Sequence, residues 1–209
     1  MEGDRESRHD SAGETTPADV LRFWFGPDGT PPLANASKWY AKDDGFDREI
    51  EARFGATLDL ASRGALDAWK ATPRGRLALV IVLDQFSRNV FRGTPRAFAA
   101  DARACELVRE GLAAGDEAAL TIVERWFLYM PLMHAEDVAL QRECVAAFER
   151  LHADAPEDLA KSVANSLDYA KRHAEIVERF ARFPHRNDIL GRASTPEEVE
   201  FLKQPGSSF

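Results

Sequence analysis

One combination of residue types occurs twice in this chain. The first occurrence is Asp84-Gln85-Phe86-Ser87-Arg88-Asn89-Val90-Phe91-Arg92-Gly93. The second is Arg179-Phe180-Ala181-Arg182-Phe183-Pro184-His185-Arg186-Asn187-Asp188-Ile189-Leu190-Gly191-Arg192. Each places an aromatic and a small or kinking residue before Arg-Asn, then an apolar step and a Gly beside an Arg. A guanidinium offers a planar fork of donors that matches a carboxylate or phosphate. Asp84 and Arg88, four residues apart, share a helix face, and Arg92 lies one turn further. Asp84 either simply ties off a helix end with Arg88, or orients it and leaves donors for an anion, with Asn89 adding an amide. Arg182, Arg186 and Asn187 are the matching candidates in the second occurrence.

Proton transfer has its own candidates. His134, Asp137 and Gln141 fall at i, i+3 and i+7 and so face one way on a continuous helix, with Glu136 turned aside. A carboxylate beside an imidazole fixes its tautomer and raises its basicity, which makes His134 and Asp137 a candidate acid–base pair as well as a satisfied buried one. His185 follows Phe183-Pro184 in a loop with Arg182, Arg186 and Asn187, where functional residues concentrate. His173 falls on the apolar stripe of a long helix and reads as structural. In the folded part Glu149-Arg150-Leu151-His152 is the one Glu-x-x-His, without the partner that a di-iron bundle requires. No metal site and no cofactor are expected. Gly-x-Ser-x-Gly, phosphate-loop and dinucleotide fingerprints do not occur.

These groups must be positioned by helices. Four of the chain's Thr-Pro pairs, Thr16-Pro17, Thr72-Pro73, Thr94-Pro95 and Thr195-Pro196, each precede a stretch of helical periodicity. Thr caps the free amides of a first turn, and Pro at the first helical position sacrifices no hydrogen bond. Thr16 with Asp19, and Thr195 with Glu198, resemble capping boxes. The pattern predicts helices over Pro17–Phe25, Phe46–Arg63, Leu66–Trp69, Pro73–Val90, Pro95–Ala114, Asp116–Met130, Pro131–His152, Pro156–Phe183 and Pro196–Lys203. No alternating strand pattern appears. The fold class is therefore all-α, with eight or nine helices whose short connections favour antiparallel pairs. The run Leu77–Leu83 is apolar on every side, so its helix is central, and the polar residues after it issue from the middle of the protein.

Composition narrows the function. At 209 residues the chain suits one buried domain over 16–209, with residues 1–15 reading as a polar disordered tail. A net charge of −8 and a pI near 5.2 argue against a nucleic-acid partner. The apolar run at 77–83 is too short to cross a membrane. Cys105 and Cys144 stand in Ala-rich helical patterns without metal spacing and read as buried thiols of a cytoplasmic protein. The aromatic cluster Phe23-Trp24-Phe25, with Trp39, Trp69 and Trp126, reads as core.

Several motifs recur together in order: Phe23-Trp24-Phe25-Gly26, Leu83 to Asn89, Arg92-Gly93-Thr94, Tyr129 to Asp137, and Arg182 to Asn187. The set resembles the bacterial family of unknown function numbered 924, over about residues 17 to 204. Ser87 stands where that family usually has Pro, and Ala135 where it often has Ser. The resemblance implies a helical fold similar to tetratricopeptide repeats and no assigned reaction. It marks Asp84, Arg88, Asn89, His134, Glu136, Asp137, Arg182, His185, Arg186 and Asn187 as motif positions.

Two functions fit. In one, Arg88 and Arg186 clamp a small anionic ligand while His134, with Asp137 or His185, moves a proton. In the other, a tetratricopeptide-like scaffold binds a peptide or partner, and the Arg/Asn motifs are internal struts. Oligomeric state does not follow from the sequence. An open pocket lined by these groups favours the first; mutual pairing in an enclosed interior favours the second.

Overall fold

The computed structural model describes residues 15–208. The tail expected over 1–15 lies outside the described residues but for Thr15. Every regular element among the described residues is helical. In chain order these are α1 (Pro17–Phe25), α2 (Ala36–Trp39), α3 (Asp44–Ser62), α4 (Pro73–Val80), a π-helical segment (Ile81–Phe86), α5 (Ser87–Val90), α6 (Asp101–Ala114), α7 (Ile122–His134), α8 (Val138–Asp154), α9 (Glu157–Phe180) and α10 (Pro196–Leu202). Single 3-10 turns occupy Asp67–Ala71, Pro95–Phe98, Asp116–Ala119 and Pro184–Arg186.

The Thr-Pro starts hold at three of four places. Thr16 and Thr195 form capping boxes with Asp19 and Glu198, and the Thr72 side chain accepts from the Gly75 amide. Thr94 differs: its hydroxyl donates back to the Phe91 carbonyl, a 3-10 turn follows, and α6 begins only at Asp101. Gly115, at φ 78°, ends α6 in the left-handed conformation a β-carbon disfavours. The long helix expected to reach Phe183 stops at Phe180, because Ala181 takes φ 57°.

Pairing is antiparallel where contacts define it. Arg142–Glu178 and Lys171–Glu149 pair in opposite order along α8 and α9. Arg125–Asp154 and Tyr129–Phe148 do the same for α7 and α8. Phe54 meets Phe86 while Asp47 meets Asn89, so α3 runs against the Pro73–Val90 helix. That helix is central, since Leu77 through Leu83 are at most 1% exposed. Trp24 packs its ring on Trp39 and Phe127, as expected of core aromatics.

The boundaries around Pro131 move as well, and the helix expected from Asp116 begins at Ile122. Pro131 does not open a helix; it lies inside α7, where its missing N–H leaves the previous turn one bond short. The chain then breaks at Ala135, which is extended at φ −74°, ψ 137°. Gln141, fully buried, donates to the Met133 and Ala135 carbonyls at 2.7 Å each and so seals the broken end. No helix of the described residues is long and apolar enough to cross a membrane.

Candidate functional site

The centre of the site is Asp84, 1% exposed, in the π-helical segment that interrupts the expected regular helix. A π turn carries one extra residue and leaves backbone carbonyls to other donors. Ser87 Oγ lies 2.6 Å from the Leu83 carbonyl and 3.1 Å from that of Asp84, and Arg88 Nη1 donates to the Asp84 carbonyl at 3.0 Å. The Asp84 carboxylate receives Arg88 Nη1 at 2.9 Å, Gln85 Nε2 at 2.6 Å and His134 Nδ1 at 2.7 Å. Burial pushes its pKa up, but Arg88 and His134 outweigh burial and hold it down at about 2. An ionised carboxylate is acceptor-only, so His134 Nδ1 carries the shared proton. Burial pulls His134 below its ordinary pKa of 6.5, against the attraction of Asp84. The ring is therefore neutral near pH 7, and its Nε2 is a lone-pair acceptor with no hydrogen-bond partner among the described residues.

This corrects one expected pairing. Asp137 does not accompany His134, because the break at Ala135 separates them. Asp137 instead caps α8, accepting from the Leu140 amide at 2.9 Å. The carboxylate that orients His134 comes from a residue 50 positions away.

A second carboxylate extends the network. Asp101, in the first turn of α6, takes a two-pronged contact from Arg88 at 2.9 and 3.0 Å. Its Oδ2 also lies 3.5 Å from Arg186 Nη1, too far for a good hydrogen bond. The Arg186 guanidinium carbon stands over two aromatic rings, 4.6 Å from the Phe98 centroid and 4.5 Å from that of Phe183. It is 5% exposed, and its buried Nε has no acceptor. Burial and the charge of Arg88 lower its pKa to about 10.

An open pocket of about 430 Å³ adjoins this network. Asp101, Arg186, Cys105, Ala135, Glu136 and Asp137 contribute to its wall, and Phe98, Leu140 and Leu190 make part of its apolar lining. Cys105 is buried and its thiol is pushed up to about 12, first by burial and then by Asp84 and Asp101, so it stays protonated. Its Sγ donates to the Pro131 carbonyl at 3.2 Å.

Other motif residues are taken up by partners elsewhere. Asn89 and Arg92 both bind Asp47 of α3, at 2.7 Å and at 2.7 and 2.9 Å. Arg182 grips Glu198 of α10 at 2.6 and 2.7 Å, and Asn187 donates to the same carboxylate at 3.3 Å. Arg182 and the Thr195 amide help hold Glu198 at a pKa of about 2. Glu136 receives both Nη atoms of Arg192, at 2.5 and 2.9 Å, and the Phe183 amide at 2.9 Å. His185 packs against Phe183 with centroids 5.7 Å apart, and burial beside Arg186 lowers its pKa to about 4.

The two Arg-Asn segments therefore meet through Asp101. Asp84, Arg88 and His134 join directly, Arg186 joins at one remove, and Glu136 and Asp137 share the pocket wall. Asn89, Arg92, Arg182 and Asn187 brace neighbouring helices instead. Asp101, Phe98, Arg192, Glu198 and Asp47 were missed as partners from sequence. Glu198 had stood out only as a capping residue and Arg192 only as part of the second segment; nothing local marked Asp101, Phe98 or Asp47. Among the described residues, no group of three or more His, Cys, Asp or Glu could hold a metal ion.

A family model described as bacterial protein of unknown function (DUF924) matches residues 20–206. A solved structure of a protein of unknown function from Agrobacterium tumefaciens is similar, with a TM-score of 0.76 and 37% identity, covering 90% of this chain and 96% of that one. No curated protein matches.

Proposed function

The chain belongs to the bacterial DUF924 family, and within it we propose a small-molecule site that binds an anionic ligand and transfers a proton at His134. The observation that carries this reading is the Asp84–His134 pair, which does not itself line the pocket but is joined through Arg88 to Asp101 and Arg186 on its wall. Asp84 holds the Nδ1–H of His134 and would stabilise the imidazolium formed when Nε2 accepts a proton. Arg88 keeps Asp84 ionised, and Arg186 offers donors to an anion. The pocket volume suits a small organic molecule.

The brace reading applies to part of the motif set. Arg92, Arg182 and Arg192 are each consumed by one carboxylate. They support helix ends around the site, leaving Arg186 as the motif arginine with donors to spare.

The test is a ligand screen of phosphates and carboxylates by thermal shift, followed by long-range proton–nitrogen NMR of His134. A binder should raise the melting temperature, since it binds the folded state alone. It should also move the His134 Nε2 resonance. If no member of either class does both, the proposal is wrong.

A further inference from the structure

We infer that the ligand of this pocket is a monocarboxylate with an apolar body, gripped edge-on by Arg186. The inference deepens the proposed small-molecule site and rests on it. Arg186 is buried and carries five N–H donors, yet it makes no side-chain hydrogen bond among the described residues. Buried donors of this kind ordinarily have acceptors. Arg88, beside it, pairs with Asp84 and donates to both carboxylate oxygens of Asp101. The incomplete group is thus one arginine rather than a cluster.

Geometry selects the acceptor. The Arg186 guanidinium carbon stands over the rings of Phe98 and Phe183, at 4.6 and 4.5 Å, so an anion is left the N–H edge that the rings do not cover. A planar carboxylate presents two oxygens to that edge and forms parallel hydrogen bonds. Charge selects against a phosphate dianion. Asp101, Glu136 and Asp137 line the pocket; Arg88 and Arg192 balance the first two, so Arg186 faces Asp137 and the ligand together, and a monoanion adds less repulsion there than a dianion. The remaining surface supplied by Phe98, Leu140 and Leu190 suits a hydrocarbon body.

The experiment uses the full chain and four probes that share or lack one feature each: hexanoate, acetate, hexylphosphonate and hexylammonium. Hexanoate should bind most tightly. Acetate, lacking the body, and hexylphosphonate, with the wrong charge and shape, should each be weaker by about tenfold or more, and hexylammonium should not bind. Arg186→Lys keeps the charge but loses the planar fork and should weaken hexanoate by about tenfold. In the unsubstituted protein the Arg186 Nε resonance should move on hexanoate addition, a readout that does not depend on the variant folding. Hexylphosphonate binding as tightly as hexanoate, or an unmoved Arg186 resonance, would overturn the carboxylate assignment while leaving the small-molecule site standing. No binding by any probe, together with an unmoved His134 resonance across the wider screen, would remove both.

Discussion

Replacing Asp84 by Asn tests the centre of the site most directly. The two side chains have nearly the same shape, so packing is preserved while the charge is lost. Asp84 receives three donors in a buried setting, two of them from Arg88 and His134. Removing one partner of a buried ion pair costs about 3–5 kcal/mol. Arg88 retains both bonds to Asp101, so its charge is not orphaned, and the loss should lie near the low end, about 3 kcal/mol. For a chain of this size that is a fall of about 6–12 °C in melting temperature. Urea unfolding measured from pH 7 to pH 2 adds a signature that packing cannot imitate. The folded pKa of Asp84, about 2, lies below its ordinary 3.8. Its contribution is therefore complete above pH 4 and lost as pH falls through 2. The gap between wild type and Asp84→Asn should close over that window. As a control, Glu49→Gln breaks the exposed pair with Arg53 and should change stability by no more than about 0.5 kcal/mol. A pH-independent gap, or one below about 1 kcal/mol at pH 7, would refute the electrostatic account.

Further outcomes follow from local geometry. Ala181 sits at φ 57°, so Ala181→Gly should stabilise by about 1 kcal/mol; a lower melting temperature would contradict the strain. In Gly75→Ala the new β-carbon would lie 2.0 Å from the Trp69 carbonyl and 2.8 Å from the capping Thr72 oxygen, for a loss of about 2–3 kcal/mol in chemical denaturation. Gly55→Ala, inside α3 with its nearest neighbour 4.0 Å away, should instead gain about 0.5–1 kcal/mol. Acidification has an earlier effect as well. Burial lowers His173 to about 3 and His185 to about 4, so below pH 6.5 the unfolded chain takes up protons that the folded one refuses. Stability should then decline by about 1.4 kcal/mol per pH unit for each histidine, and His173→Gln should flatten the slope; an unchanged slope would count against it.

Local rules carried much of the fold. Thr16, Thr72 and Thr195 cap helices where the sequence places them, because a cap needs only amides two or three residues away. Gly26 and Gly115 end α1 and α6, again by local backbone preference. The 3-10 turn after Thr94 and the π segment at 81–86 were not legible. Both keep a helical apolar pattern and differ only in which carbonyl each donor meets.

The site divides along the same line. Composition and spacing picked out Asp84, Arg88, His134 and Arg186 as residues able to do chemistry, since that depends on side-chain type and helical phase alone. Their partners were decided by packing. Residues at i and i+3 share a face only on an unbroken helix, and the break at Ala135 removed Asp137 from His134. Docking of the Pro73–Val90 helix against α7 supplied Asp84 in its place, and α6 delivered Asp101 to both arginines. The sequence by itself determined a helical protein with a polar end to its most buried helix. Only the tertiary structure decided which arginines became braces and which one kept its donors, because an ion pair between helices depends on distances that no local pattern encodes.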